Sequence, residues 1–331
     1  MLTRRTLLGW TGAAAASRLA ALPSRLAAAE MPVLSVGVLE FGTVGWEIDT
    51  IRRYGLAEAA GLDLRPVKLA SNDAARIAFL GGNVDTIVTD LLWVARLRGE
   101  GRDLVFLPFS ATEGAVMVPA ASRIRSVADL AGARLGVAGG ALDKSWLLLQ
   151  GFGRKTAGLD LARSASPAFA APPLLSHKLE AGELDAALLY WTFCARLEAK
   201  GFRRLIGVDE LAAGLGASGE ISFLGYVFDR ERLGGRVAAI APFAAASRAA
   251  KTRLAGADDA WTAVRPLMQA EDEATFETLK RHFIAGIPRR SSADEEADAR
   301  RIYATLAELG GEALVGRAAQ LPAGLFWTGA G

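Results

Sequence analysis

Apolar residues alternate along Val33 to Leu39, then take helical spacing from Trp46 to Ala60 and stop at Gly61. A period of two followed by a period of 3.6 predicts a strand and then a helix. The succession repeats at once. Leu64 to Leu69 reads as a strand, Asp73 to Leu80 as a helix stopped by Gly81-Gly82, and Asp85 to Thr89 as a third strand. Repeated βαβ units build a mostly parallel sheet with helices on both faces. In such sheets ligands gather beyond the carboxyl ends of the strands.

The stretch from Val127 to Leu161 carries the strongest local signal. It predicts a short helix, a buried strand from Arg134 to Val137, a Gly139-Gly140 turn and a helix opening near Asp143. Glycines between strand and helix let a ligand approach the backbone, and the first helical N–H groups point into the same space. G-x-G-x-x-G is missing from this segment and G-x-x-x-x-G-K-[ST] from the chain, so the turn carries neither of the usual nucleotide fingerprints.

A short repeat suggests two lobes. Gly82-Asn83-Val84-Asp85-Thr86-Ile87-Val88 and Gly182-Glu183-Leu184-Asp185-Ala186-Ala187-Leu188 each follow a helix and share the same order of residue types. Each glycine suits a left-handed helix cap. Apolar strands at Ala115 to Pro119 and Ser222 to Phe228 mark two crossings between lobes. The expected division is a first lobe of residues 32–117 plus 223–331 and an inserted second lobe of residues 118–222. Beyond Arg230, Ala238 to Leu254, Ala257 to Met268 and Asp272 to His282 have helical spacing and no catalytic constellation.

Composition narrows the function classes. The chain has 331 residues, 51% of them hydrophobic, and 38 basic against 36 acidic side chains, which suits a globular protein of about two domains. The charges are interspersed, so no basic stripe recommends nucleic acid. Cys194 is the single cysteine and His177 and His282 the only histidines, so neither an intrachain disulfide nor a Cys- or His-rich metal site is expected.

The first residues, Thr3-Arg4-Arg5-Thr6-Leu7-Leu8, resemble a twin-arginine export signal, with Gly9 where a lysine is common. Arg18 and Arg25 interrupt the modestly apolar stretch that follows, and Ala27-Ala28-Ala29 offers small residues for cleavage. The resemblance implies that residues 1–29 are an export signal and that the mature protein is periplasmic.

Taken in order, Gly82-Asn83-Val84-Asp85, Ser126-Val127-Ala128-Asp129-Leu130-Ala131-Gly132-Ala133-Arg134-Leu135-Gly136-Val137, Gly158-Leu159-Asp160 and Gly182-Glu183-Leu184-Asp185-Ala186 resemble the periplasmic solute-binding proteins of ABC importers. The likeness is to the group associated with nitrate, sulfonate, taurine and pyrimidine precursors. It implies an α/β protein with a two-lobed, type II periplasmic-binding fold, each lobe a mostly parallel sheet flanked by helices. It also implies a monomer that closes on a small solute and delivers it to an inner-membrane permease with its cytoplasmic ATPase, without cofactor, metal or nucleic acid. Tyr190-Trp191-Thr192-Phe193 lacks the proline common after this strand in the group, and the cysteine cluster of pyrimidine-forming relatives is missing.

Candidate ligand contacts come from the loops after strands. The first lobe offers Phe41, Gly42, Thr43, Trp46 and Glu47, then Ser71 and Asn72, then Thr89 and Asp90, then Ser110 and Thr112. The second offers Gly139, Gly140, Asp143, Lys144 and Ser145, then Tyr190 and Trp191. Ser71, Asn72 and Asp143 also suit helix N-caps, and Lys144 suits a solvated charge. Glu47, Asp49, Asp90, Glu113 and Asp143 crowd the expected mouth beside Lys144 and Arg52. That balance points to a solute with a cationic or donor-rich part, or one bound with a metal ion. Two other readings stay open, a periplasmic sensor or scaffold and an exported enzyme using Cys194 with a histidine.

Overall fold

The computed structural model describes residues 31–40 and 42–329. The expected export signal, residues 1–29, lies outside the described residues. The chain runs through β1 (Val33–Leu39), α1 (Val44–Arg53), α2 (Leu56–Ala59), β2 (Asp63–Leu69), α3 (Asn72–Leu80), β3 (Thr86–Asp90), α4 (Leu91–Gly99) and β4 (Leu104–Ser110). It crosses to β5 (Gly114–Val118), β6 (Arg134–Ala138), α5 (Lys144–Ala157), α6 (Leu161–Ser164), β7 (Ser166–Ala170), α7 (Pro172–Glu180), β8 (Ala186–Tyr190), α8 (Trp191–Ala199), β9 (Arg203–Gly207) and α9 (Val208–Leu215). It returns through β10 (Leu224–Asp229) to α10 (Arg230–Leu233), α11 (Ile240–Gly256), α12 (Asp258–Met268), α13 (Glu273–Ala285) and α14 (Ser292–Val315).

Two five-stranded sheets result, ordered β2-β1-β3-β10-β4 and β7-β6-β8-β5-β9. Each is parallel except for one strand: β10 runs antiparallel to β3 and β4, and β5 antiparallel to β8 and β9. These two strands are the ones by which the chain enters a sheet after leaving the other. The fold is thus the expected two-lobed α/β arrangement. Residues 114–117, expected at the end of the first lobe, belong instead to the second sheet, because β5 pairs with β8 and β9. Its uniform burial shows in the sequence as apolarity, which says nothing about which sheet it joins.

The heptapeptide repeat is a repeated turn. Gly82 and Gly182 take φ of 76° and 74°. Three residues on, the aspartate ties the coming strand to its parallel neighbour. Asp85 accepts the Ser35 backbone N–H and hydroxyl at 2.8 Å and donates its own N–H to the Ser35 carbonyl at 3.0 Å. Asp185 does the same with Arg134, accepting its N–H at 2.8 Å and donating to its carbonyl at 2.9 Å. The expected helix from Trp46 to Ala60 is split in two by Gly55, whose φ of 60° ends the first piece.

The C-terminal helices bind the two sheets' layers together: α13 packs on α8, and α14 packs on α4, α5 and α9. Helix α14 buries Glu295, Asp298, Ala299, Ile302, Tyr303 and Leu306 at helical spacing, and two of the six are acids. Their carboxylates engage the second crossing. Glu295 accepts the Ser222 N–H at 2.8 Å, and Asp298 accepts the Ser218 N–H at 3.0 Å and its hydroxyl at 2.8 Å. Among the described residues no helix is long and apolar enough to cross a membrane.

Candidate functional site

The carboxyl ends of parallel strands from both sheets open on one cavity of about 610 Å³. From the first sheet come Gly42, Thr43 and Val44 after β1, Asn72 and Arg76 of α3, and Thr89, Asp90 and Trp93 where β3 passes into α4. From the second come Leu142, Asp143 and Lys144 after β6, and Tyr190, Trp191 and Thr192 after β8. Phe109 and Glu113 flank the first crossing, and Leu314 reaches in from α14.

Helix starts fix the acids. Asp90 caps α4 by accepting the Leu92 N–H at 2.8 Å, and Asp143 caps α5 by accepting the Ser145 N–H at 2.9 Å. The Tyr190 hydroxyl donates to the second Asp143 oxygen at 3.3 Å. Lys144, first residue of α5, places its ammonium 2.6 Å from Asp90 Oδ2 and 2.9 Å from Glu113 Oε2. Its side chain is 10% exposed, so the solvated charge expected from sequence is a buried, doubly paired one.

Burial alone would lower the Lys144 pKa, yet the carboxylates of Asp90, Glu113 and Asp143 outweigh it and hold the group well above its ordinary value. Burial raises Glu113 from 4.5 to about 7, with the Asp90 charge adding to the rise and Lys144 opposing it. Tyr190 is pushed up to about 12, by burial first and then by Asp143. Glu113 Oε1 is buried and makes no hydrogen bond among the described residues.

Arg76 stands apart from this cluster. Its Nε lies 3.5 Å from Thr89 Oγ1 and its guanidinium 5.4 Å from the Trp93 ring, with no carboxylate in ion-pair range among the described residues. Arg96, the other lining arginine, has Glu100 at 4.0 Å. The acidic excess read from sequence is therefore not present: Arg76, Arg96 and Lys144 line the cavity against Asp90, Glu113 and Asp143. Glu47 is fully buried away from the cavity, 2.5 Å from the Lys251 ammonium, and accepts the Tyr226 hydroxyl at 3.0 Å. Asp49 pairs with Arg53 along α1. Lys144 pairs with Asp90 and Glu113, and among the described residues no group of His, Cys, Asp or Glu is arranged to hold a metal.

Of the residues expected at the site, Gly42, Thr43, Asn72, Thr89, Asp90, Asp143, Lys144, Tyr190 and Trp191 line the cavity. Phe41 lies outside the described residues. Trp46 is 4% exposed and sits in an aromatic cluster, edge-on to Trp191 and Trp261, because its position on α1 faces the core. Ser71 caps α3 on an exposed turn, Ser145 is buried in the first turn of α5, and neither lines the cavity. Ser110 and Thr112 serve the first crossing: the Thr112 N–H donates to Ser110 Oγ, and the Thr112 hydroxyl donates to the His282 carbonyl at 3.1 Å.

Gly139 and Gly140, also expected at the site, form the turn after β6 and do not line the cavity. Gly139 has φ of 84°, and a Cβ there would sit 3.0 Å from both Asp143 Oδ2 and the Tyr190 hydroxyl. Sequence reasoning did not place Arg76, Trp93, Phe109 or Leu314 at the site. Arg76 had a usable signal, since it lies four residues after Asn72 and so on the same helix face. Leu314 had none, being far along the chain on a helix the pattern did not show.

No family model matches the chain, and no curated protein matches it. Solved structures do. The alkanesulfonate-binding protein SsuA from Xanthomonas axonopodis pv. citri bound to MOPS is 20% identical, with a TM-score of 0.63 over 91% of this chain and 99% of that one. The periplasmic aliphatic sulphonate binding protein SsuA from Escherichia coli is 18% identical, with a TM-score of 0.67 over 86% of this chain and 89% of that one. The desulfurization enzyme DSZB is 16% identical, with a TM-score of 0.55 over 83% of this chain and 92% of that one. At these identities the chain shares their fold.

Proposed function

We propose that the protein is the solute-binding component of an ABC importer, holding a small organic anion of the sulfonate kind between two lobes and passing it to an inner-membrane permease driven by a cytoplasmic ATPase. The observation that carries this reading is a single cavity lined from the carboxyl ends of both sheets, with Arg76 as its cation lacking a carboxylate partner among the described residues. The lobes are taken as residues 32–110 with the C-terminal part, and 114–215, hinged at the two crossings. Either lobe alone offers half a site, so the solute favours the closed state and shifts the population toward it. A guanidinium contact and aromatic burial against Trp93 and Trp191 suffice for micromolar binding, roughly −8 kcal/mol.

Residues 1–29 fit export by the twin-arginine route to the periplasm, where the protein acts as a monomer. An enzyme of the same fold is the rival reading, and Cys194 argues against its nucleophilic form. That thiol is fully buried against the Ala115 and Leu189 carbonyls, and burial pushes its pKa up to about 12. The test is calorimetry against a panel of alkanesulfonates, nitrate and cationic solutes, with scattering to follow compaction. Sulfonate binding with compaction supports the reading. Compaction only with cationic solutes, or consumption of the sulfonate, overturns it. Loss of uptake on gene deletion separates transport from a sensor or scaffold role.

A further inference from the structure

A second cavity, about 690 Å³, shares no lining residue with the cleft. Helix α11 contributes Ser247, Arg248 and Lys251, the turn before α14 contributes Arg290, α14 contributes Glu295, and Trp327 forms a wall. We propose that this cavity is a separate binding site for a small tetrahedral oxyanion, phosphate or sulfate in chemistry.

Three cations face one carboxylate in the lining. Lys251 is 6% exposed, fixed by Glu47 at 2.5 Å and donating to Ser247 Oγ at 2.8 Å. It lines the cavity with its charge already paired. Arg290 uses Nη1 on the Glu220 carbonyl and on Asp298, both at 2.8 Å, which orients its plane and leaves Nη2 without an assigned hydrogen bond. Arg248, three residues before Lys251 and so on the same face of α11, has neither a hydrogen-bond nor an ion-pair partner among the described residues. The lone acid is turned away, because Glu295 accepts the Ser222 N–H at 2.8 Å, and burial raises its pKa.

Two guanidinium groups and an ammonium lining one cavity match the several acceptor oxygens of a tetrahedral anion, which takes forked N–H contacts from arginine. A planar carboxylate offers fewer such acceptors. The inference is independent of what the cleft holds.

The test is binding of inorganic phosphate by calorimetry at constant ionic strength, with chloride as the balancing anion. One saturable site is expected, weakened about tenfold in Arg248→Ala, the loss of one charge-assisted hydrogen bond. Arg248 is exposed and makes no bond to the fold among the described residues, so circular dichroism should show the variant folded. Phosphate should also raise the Tm of the wild type and raise that of Arg248→Ala less. Arg76→Ala should bind phosphate as the wild type does. Absence of saturable binding, equal affinity in Arg248→Ala, or loss in Arg76→Ala would each overturn the proposal, the last by placing the anion in the cleft.

Discussion

Lys144, which follows β6 of one sheet, and Asp90, which ends β3 of the other, meet at 2.6 Å inside the cleft. Glu113, in the first crossing, is the ammonium's second partner at 2.9 Å, so one side chain ties together the ends of the two sheets and the crossing between them. Removing one member of a buried ion pair leaves the other charge without compensation and costs about 3–5 kcal/mol. Lys144→Met should therefore lower the Tm, and opening of the cleft should relieve part of the cost by hydrating Asp90. The scattering radius of the unliganded variant should exceed that of the wild type. An unchanged radius together with an unchanged Tm would remove the bridge from the account.

Arg76 has no carboxylate among the described residues to satisfy it and rests near Trp93, so an anionic solute gains a hydrogen bond without displacing an internal carboxylate. A charge-assisted bond is worth about 1.5–3 kcal/mol. Arg76→Ala should weaken alkanesulfonate binding by roughly 10- to 100-fold. Stability without ligand should change by less than about 0.5 kcal/mol. Calorimetry with an uncharged analogue of the same body is the control: an equal loss there would mean that Arg76 shapes the wall and does not read charge.

Glu113 makes the cleft sensitive to pH near neutrality. Its folded-state pKa of about 7 lies above the ordinary 4.5, so the folded protein holds a proton that the unfolded chain has released. The associated stability is fully present below about pH 4.5 and is lost as pH rises through 7. The groups facing Glu113 are Asp90, Asp143 and Lys144, and Lys144 stays charged across this window. Glu113→Gln should flatten the dependence of urea unfolding on pH between about 4.5 and 7. An anionic solute should bind the wild type more tightly as pH falls through that range, and the variant should lose this trend. A variant that keeps the full slope would assign it to another group.

The alternation of Val33 to Leu39 and the glycine-capped helices were legible because each depends on its own segment alone. The βαβ order then placed Asp90, Asp143, Lys144 and Tyr190 correctly at strand ends, since topology decides where strands finish. Their pairing was not legible. Whether Lys144 meets water or Asp90 depends on how two sheets face each other, and Glu47 meets Lys251 across 204 positions of sequence for the same reason. Helix α14 escaped notice because Glu295 and Asp298 interrupt its apolar stripe. Their burial makes sense only beside the Ser218 and Ser222 amides that they bind.

Asp85 and Asp185 repeat one connection under different cover, and that difference has a measurable consequence. The Asp85 side chain is 14% exposed and also pairs with Arg236 at 2.8 Å, whereas Asp185 is 38% exposed and pairs with the Arg134 guanidinium at 2.7 Å. Loss of Asp85 strands the Ser35 N–H and hydroxyl in a half-buried setting, at about 1–3 kcal/mol. Loss of Asp185 leaves groups that water can reach, at about 1 kcal/mol or less. Both carboxyls sit below the ordinary 3.8: burial opposes the fall at Asp85 but Arg236 and Ser35 outweigh it, and the Arg134 hydrogen bond leads at Asp185. A depressed folded pKa means stability present above about pH 3.8 and lost as pH falls below it, so each Asp→Ala variant should lose less stability than the wild type on acidification. Because the two lie in different sheets with no shared partner, the costs should add in the double variant. Urea unfolding of the two single variants and the double variant checks all three points, and equal single costs would show that exposure does not govern the turn.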